Sequence, residues 1–167
     1  MNARSLAPCS ALAVVLLALG HARALDVPSV AEGLWSVRIE NRYFPSDRRT
    51  VDTATLCRSH AYDQYVLRTE REALKACTII SERLALGTLT RETRCGIEGH
   101  QVHTTFIESL RPDSVHAEVQ TTYSPALGDI TGVKMRLDSH YIGACPAGMQ
   151  PGDRTTADGT VEHLWKH

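Results

Sequence analysis

Four side chains in the last third of the chain, His116, Glu118, Asp138 and His140, are of the kinds that hold a divalent metal. They alternate with apolar residues in "SVHAEV" and "RLDSHY", the pattern of two half-buried strands. If Tyr123 faces Val133 across a hairpin, His116 falls opposite His140 and Glu118 opposite Asp138, on the face away from the apolar residues. Zinc or a similar ion would suit such a patch, and a metal-assisted hydrolase would be the activity it implies. Outward polar residues at period two are, however, what any half-solvated strand carries. His103, His163 and His167 stand alone in the sequence and suggest surface positions rather than ligands.

Cysteines are the second source of chemistry. The 167-residue chain has five, of which Cys9 lies in an N-terminal segment that reads as a leader, leaving Cys57, Cys77, Cys95 and Cys145. Zinc sites built from four cysteines use two close C-x2-4-C knuckles, and these four are widely spaced, which favours disulfides. Four cysteines allow three pairings. Cys77 opens one strand-like stretch and Cys95 closes the next, so a hairpin around 85–87 sets them opposite one another, and Cys57 with Cys145 follows. A reactive thiol at Cys145 would need a catalytic partner, and only His140 is close in sequence.

Signatures of common catalytic machinery are missing. The chain has no G-x-S-x-G elbow, no phosphate-binding P-loop, no H-E-x-x-H and no glycine-rich dinucleotide turn, so a non-enzymatic role without a cofactor is expected. Basic Arg4, the apolar run from Ala11 to Leu19 and the Ala22-Arg23-Ala24 cleavage pattern read as a secretory signal peptide over 1–24, too short to span a membrane. Its removal leaves 143 residues, enough for one domain. The leader takes Arg4 and Arg23 from the 18 basic side chains, leaving 16 against 19 acidic, a net charge of −3 with no basic stripe. Neither nucleic acid nor a membrane surface is an expected partner.

The elements that must position these residues are legible from periodicity. "GLWSVRIENRYF" sets Trp35, Val37, Ile39 and Tyr43 on one face, and "TVDTATLC" follows a Pro45-Ser46-Asp47 turn as a second strand. Ser59 is a natural N-cap for a helix running to Ala76, with a break near Thr69 conceivable; Tyr62 and Tyr65 fall on its apolar stripe as packing residues. Five strands then follow: 77–83, 88–95, 101–110, 115–123 and 133–141, with 124–132 expected as a loop. Short connections make them antiparallel neighbours. The fold class expected is α+β: a twisted, curved antiparallel meander or half-barrel over 25–145, with one helix packed on it and two disulfides. The tail, 146–167, with Pro146, Gly148, Pro151 and Gly152, is expected as an irregular strap docked through Leu164 and Trp165.

"GLW" after a leader, a cysteine before a helix, a Cys-to-Cys hairpin and the closing "YIGACP" together resemble the bacterial exported domain-of-unknown-function family numbered 3617. The resemblance runs from Gly33 to Pro146 and implies a Gram-negative envelope protein, periplasmic or secreted. It brings no catalytic residues. The expected role is a carrier or binding module for a small or lipid-like ligand held by the apolar face of the sheet. An envelope protein that grips a protein partner by a sheet edge is the alternative.

Overall fold

The computed structural model describes residues 28–165; the leader read at 1–24 and His167 lie outside them. The strands are β1 (Gly33–Phe44), β2 (Arg49–Arg58), β3 (Cys77–Ala85), β4 (Thr88–Ile97), β5 (His100–Arg111), β6 (Ser114–Leu127), β7 (Ile130–Gly143), β8 (Asp153–Thr156) and β9 (Val161–His163). One helix, α1 (His60–Leu74), lies between β2 and β3. All nine strands join in one antiparallel sheet, in the order β3-β4-β5-β6-β7-β1-β2-β8-β9. The α+β reading therefore holds: an open antiparallel sheet, one helix and two disulfides.

Consecutive strands β3 to β7 form the expected meander, after which β1 returns to pair with β7 and carries β2 beside it. Leaving β2 at Arg58 and entering the far edge strand at Cys77, the chain must cross the sheet, and α1 does so over one face. Ser59 caps it, accepting from the Tyr62 amide at 3.2 Å. The helix runs unbroken through Thr69, whose hydroxyl donates to the Tyr65 carbonyl at 3.0 Å and so needs no break to be satisfied.

The face under α1 holds the core. Trp35 is 0% exposed, packed with Val30, Val115, Ala31, Leu110 and Leu137. Its indole N–H donates to the Ala31 carbonyl at 2.9 Å, Tyr141 meets it edge-on at 6.1 Å, and the Arg58 guanidinium lies 4.9 Å over the ring. Farther along the same face, Val119, Val133, Met135 and Tyr123 are only half-buried. Charges also lie beneath the helix: Arg91 joins Glu82 of the neighbouring strand and Glu70 of α1, and Arg58 pairs with Asp63 at 2.9 Å. Glu108 is pushed up by burial and by Glu70, with Arg58 and Arg91 opposing.

Both cysteine pairings appear as expected. Cys77 bonds Cys95 with Cα atoms 4.3 Å apart, and Cys57 bonds Cys145 at 5.6 Å. The tail departs from expectation, because 146–167 is not an irregular strap throughout. Asp153–Thr156 adds to β2, and Val161–His163 adds to that in turn. These strands are short and polar, so hydropathy alternation could not announce them; they are held by Arg154 bridging Asp52 and Glu162, and by His163 against Asp153 at 2.6 Å. Trp165 stacks on Tyr65 at 5.9 Å and meets Tyr62 at 6.1 Å, so the tail docks on the helix through that ring while Leu164 stays exposed.

The loop expected over 124–132 is also corrected. β6 and β7 continue as a hairpin to Leu127 opposite Ile130, with a register irregularity between Thr122 and Leu127. Pro125, Gly128 and Gly132 suggested broken structure, but Pro125 and Gly132 lie within the irregular strands and Gly128 in the tight turn between them.

Candidate functional site

The histidine and carboxylate patch assembles in a different register from the one expected. Ser114 lies opposite His140, His116 opposite Asp138, and Glu118 opposite Arg136, a slip of two residues from the register that sets Tyr123 against Val133. A slip of two keeps every side chain on its face while changing its neighbour. His116 Nδ1 lies 2.8 Å from Asp138 and its Nε2 lies 3.5 Å from Glu118, so the two ring nitrogens point at different carboxylates. Asp138 is also held by Arg136 at 2.9 Å. Burial pushes the Asp138 carboxyl up, and the hydrogen bonds from Arg136 and His116 outweigh it, leaving the group below its usual range. His140 stands one row away, between Ser36 and Ser114. Three of the four, His116, Glu118 and Asp138, thus belong to a cluster of surface contacts with Arg136, and His140 lies outside it. Among the described residues, no group of three or more His, Cys, Asp or Glu side chains is arranged to hold a metal ion.

A concavity of about 660 Å³ lies on the face opposite Trp35, crossing β5, β6, β7, β1 and β2. A strongly twisted sheet is saddle-shaped, so each of its faces is concave along one diagonal. The helix lies on the Trp35 face, held there through Arg58–Asp63 and Arg91–Glu70, and this groove occupies the other face. That placement differs from expectation, because periodicity pointed to the apolar face as the one that would enclose a ligand. Charged and polar side chains dominate the lining, including Glu40, Arg42, Arg49, Gln120, Lys134 and Arg136. Val51 and Ile107 are its exposed apolar residues, 54% and 41% accessible on separate strands.

The register explains the groove's charge. Arg42 sits directly opposite Arg49 on one side and Lys134 on the other, so three cations share one row across β2, β1 and β7. Arg42 is joined to Asp47 in the turn, while neither Arg49 nor Lys134 has an ion-pair partner among the described residues. Among the groove's other charges, Glu40 pairs with Arg38 and Arg136 with Asp138, while His103 contacts Glu92 at 2.7 Å and Glu118 contacts His116 at 3.5 Å.

Sequence reasoning missed this row. Two of its three cations were within reach, since the short Pro45-Ser46-Asp47 turn brings Arg42 and Arg49 together. Lys134 was not, because the pairing of β1 with β7 joins residues about ninety positions apart with nothing local to announce it.

Comparison of the chain with family models, curated proteins and solved structures finds no match to any of them. Among the described residues no helix is long and apolar enough to cross a membrane.

Proposed function

We propose that this chain is an exported envelope protein that binds or carries a small molecule without transforming it, and that the outer-face groove is its binding surface. The observation carrying this reading is the groove itself. Its volume lies in the range of small-ligand sites, about 300–1,000 Å³, and its lining mixes exposed apolar side chains with converging polar ones. Two disulfides suit an oxidising compartment, as do the leader and the resemblance of "GLW" through "YIGACP" to exported envelope proteins. The test is native mass spectrometry of the mature protein recovered gently from the cell fraction that holds it. A noncovalent adduct of small-molecule mass is expected; bare protein in repeated gentle preparations would count against a carrier.

Capture of a protein partner by strand addition has one observation in its favour. Ile79 and Ile80 are exposed on β3, the free edge of the sheet. The irregularity between Ile79 and Ser81, followed by Glu82 and Arg83, is the kind of feature that guards an edge, so the groove is the stronger reading. A photo-crosslinker at Ile80 that captures one discrete partner in cells would reverse that ranking.

A further inference from the structure

We propose that the ligand of this groove is an amphiphile with a phosphomonoester head, seated on the row Arg49, Arg42 and Lys134. The proposal rests on the groove being a binding site at all, and it names the chemistry of what enters.

Like charges set directly opposite each other on neighbouring strands destabilise a sheet. Here Arg42 faces such a neighbour on both sides, and the whole row spans two strand spacings, about 10 Å. Asp47 neutralises the central Arg42, which leaves two uncompensated cations, Arg49 and Lys134, flanking it. Their side chains are exposed and long enough to converge on one anion between them. A monoanion would leave one positive charge over, whereas a phosphomonoester, with a charge near −2 at neutral pH, matches both. Arginine offers a planar fork for two phosphate oxygens and lysine a point charge for a third.

The remainder of the groove selects the rest of the ligand. One row farther along, Val51 on β2 and Ile107 on β5 present apolar surface in the same concavity. The carboxylates of that row, Glu40 and Glu118, are engaged by Arg38 and His116. A short apolar body can therefore lie against Val51, two residues along β2 from Arg49, while the phosphate meets the cations; Ile107, four strand spacings or roughly 19 Å from Val51 in the same row, is out of its reach. One exposed apolar side chain within reach is too little to cover a long acyl chain, so the tail in contact is short or only partly held.

The test uses the full mature chain, labelled with 15N, and hexyl phosphate as the probe. Inorganic phosphate, hexyl glucoside and hexyltrimethylammonium serve as comparison ligands. Hexyl phosphate is expected to move the amide signals of Arg42, Arg49, Val51 and Lys134 while leaving Ile107 in place, to bind at least tenfold tighter than inorganic phosphate, and to weaken with added salt. The double variant R49A/K134A should lose at least tenfold in affinity while its spectrum stays folded; both positions are exposed, so the fold survives the change. Hexyl glucoside binding the groove as well as hexyl phosphate, in wild type and variant alike, would overturn the charge assignment and leave the groove as a neutral-ligand site. Equal affinity for inorganic phosphate and hexyl phosphate would overturn the amphiphile. Groove signals that no probe moves would overturn this proposal and the binding-module reading together.

Discussion

Gly33 meets Gly143 where β1 bends against β7, and the contact explains two of the short motifs in the sequence. A methyl group at Gly33 would stand 2.4 Å from the Gly143 carbonyl oxygen and 2.8 Å from the Tyr141 ring, and the backbone there has φ of +135°. Only glycine tolerates both conditions. "GLW" and "YIGAC" are therefore architecture: a close approach, the buried Trp35 with Tyr141 against it, and the bridge at Cys145. Gly33→Ala is expected to cost more than about 2 kcal/mol in urea unfolding. Gly96→Ala, with open space around it and no left-handed backbone, should change stability by less than about 0.5 kcal/mol. Equal costs at the two sites would refute the account of the β1–β7 junction.

Glu108 makes a pH prediction at the same scale. Burial lifts its carboxyl above the ordinary value of 4.5, with Glu70 adding to the lift and Arg58 and Arg91 opposing it. An acid raised on folding binds its proton more tightly in the native state. Its contribution is thus fully present below 4.5 and lost as pH rises through the native value. Glu108→Gln should be more stable than wild type at neutral pH, and the difference should shrink on acidification toward 4.5. Urea midpoints for both proteins across that range decide it; a difference that does not vary with pH would contradict the buried-charge reading.

At the scale of elements, hydropathy period and turn chemistry revealed most of the sheet. Trp35, Val37, Ile39 and Tyr43 alternate cleanly, and Ser59 marks the helix start, so β1 and α1 were legible. The β6–β7 register was not. Glycines and a proline between Thr122 and Gly132 look like a loop, and an irregular hairpin cannot be counted from sequence. The error of two residues left the faces right and the neighbours wrong, which is why His116 meets Asp138 rather than His140. The tail strands were hidden for another reason: Asp153–Thr156 is polar, and its pairing with β2 depends on distant ion pairs.

The two bridges act on elements unequally. Cys77–Cys95 joins residues 18 apart within one hairpin, whereas Cys57–Cys145 joins residues 88 apart and ties β2 to the chain just beyond β7. Loop entropy assigns them about 3 and about 4.5 kcal/mol. Replacing Cys57 and Cys145 with alanine should therefore lower the unfolding midpoint further than replacing Cys77 and Cys95. The reverse order would mean that strain or residual unfolded structure outweighs chain entropy here.

Across the whole molecule, the helix and the groove take opposite faces of one sheet. The helix side spends its apolar residues on a small core around Trp35 and takes the tail through Trp165. The opposite face is left open, polar and cationic in one row, with space for a ligand. Composition alone could not reveal this, because a net charge of −1 hides a local excess of cations that only the strand register assembles. The most direct test fills that space. Thr105 is an exposed residue of β5 lining the groove, and Thr105→Trp would occupy it without touching the core. Wild type and variant, exported and purified in parallel, would be compared by native mass spectrometry and thermal unfolding. The account predicts a small-molecule adduct on wild type that is absent from Thr105→Trp at an unchanged melting temperature; an adduct retained in full by the variant would place the ligand elsewhere and contradict it.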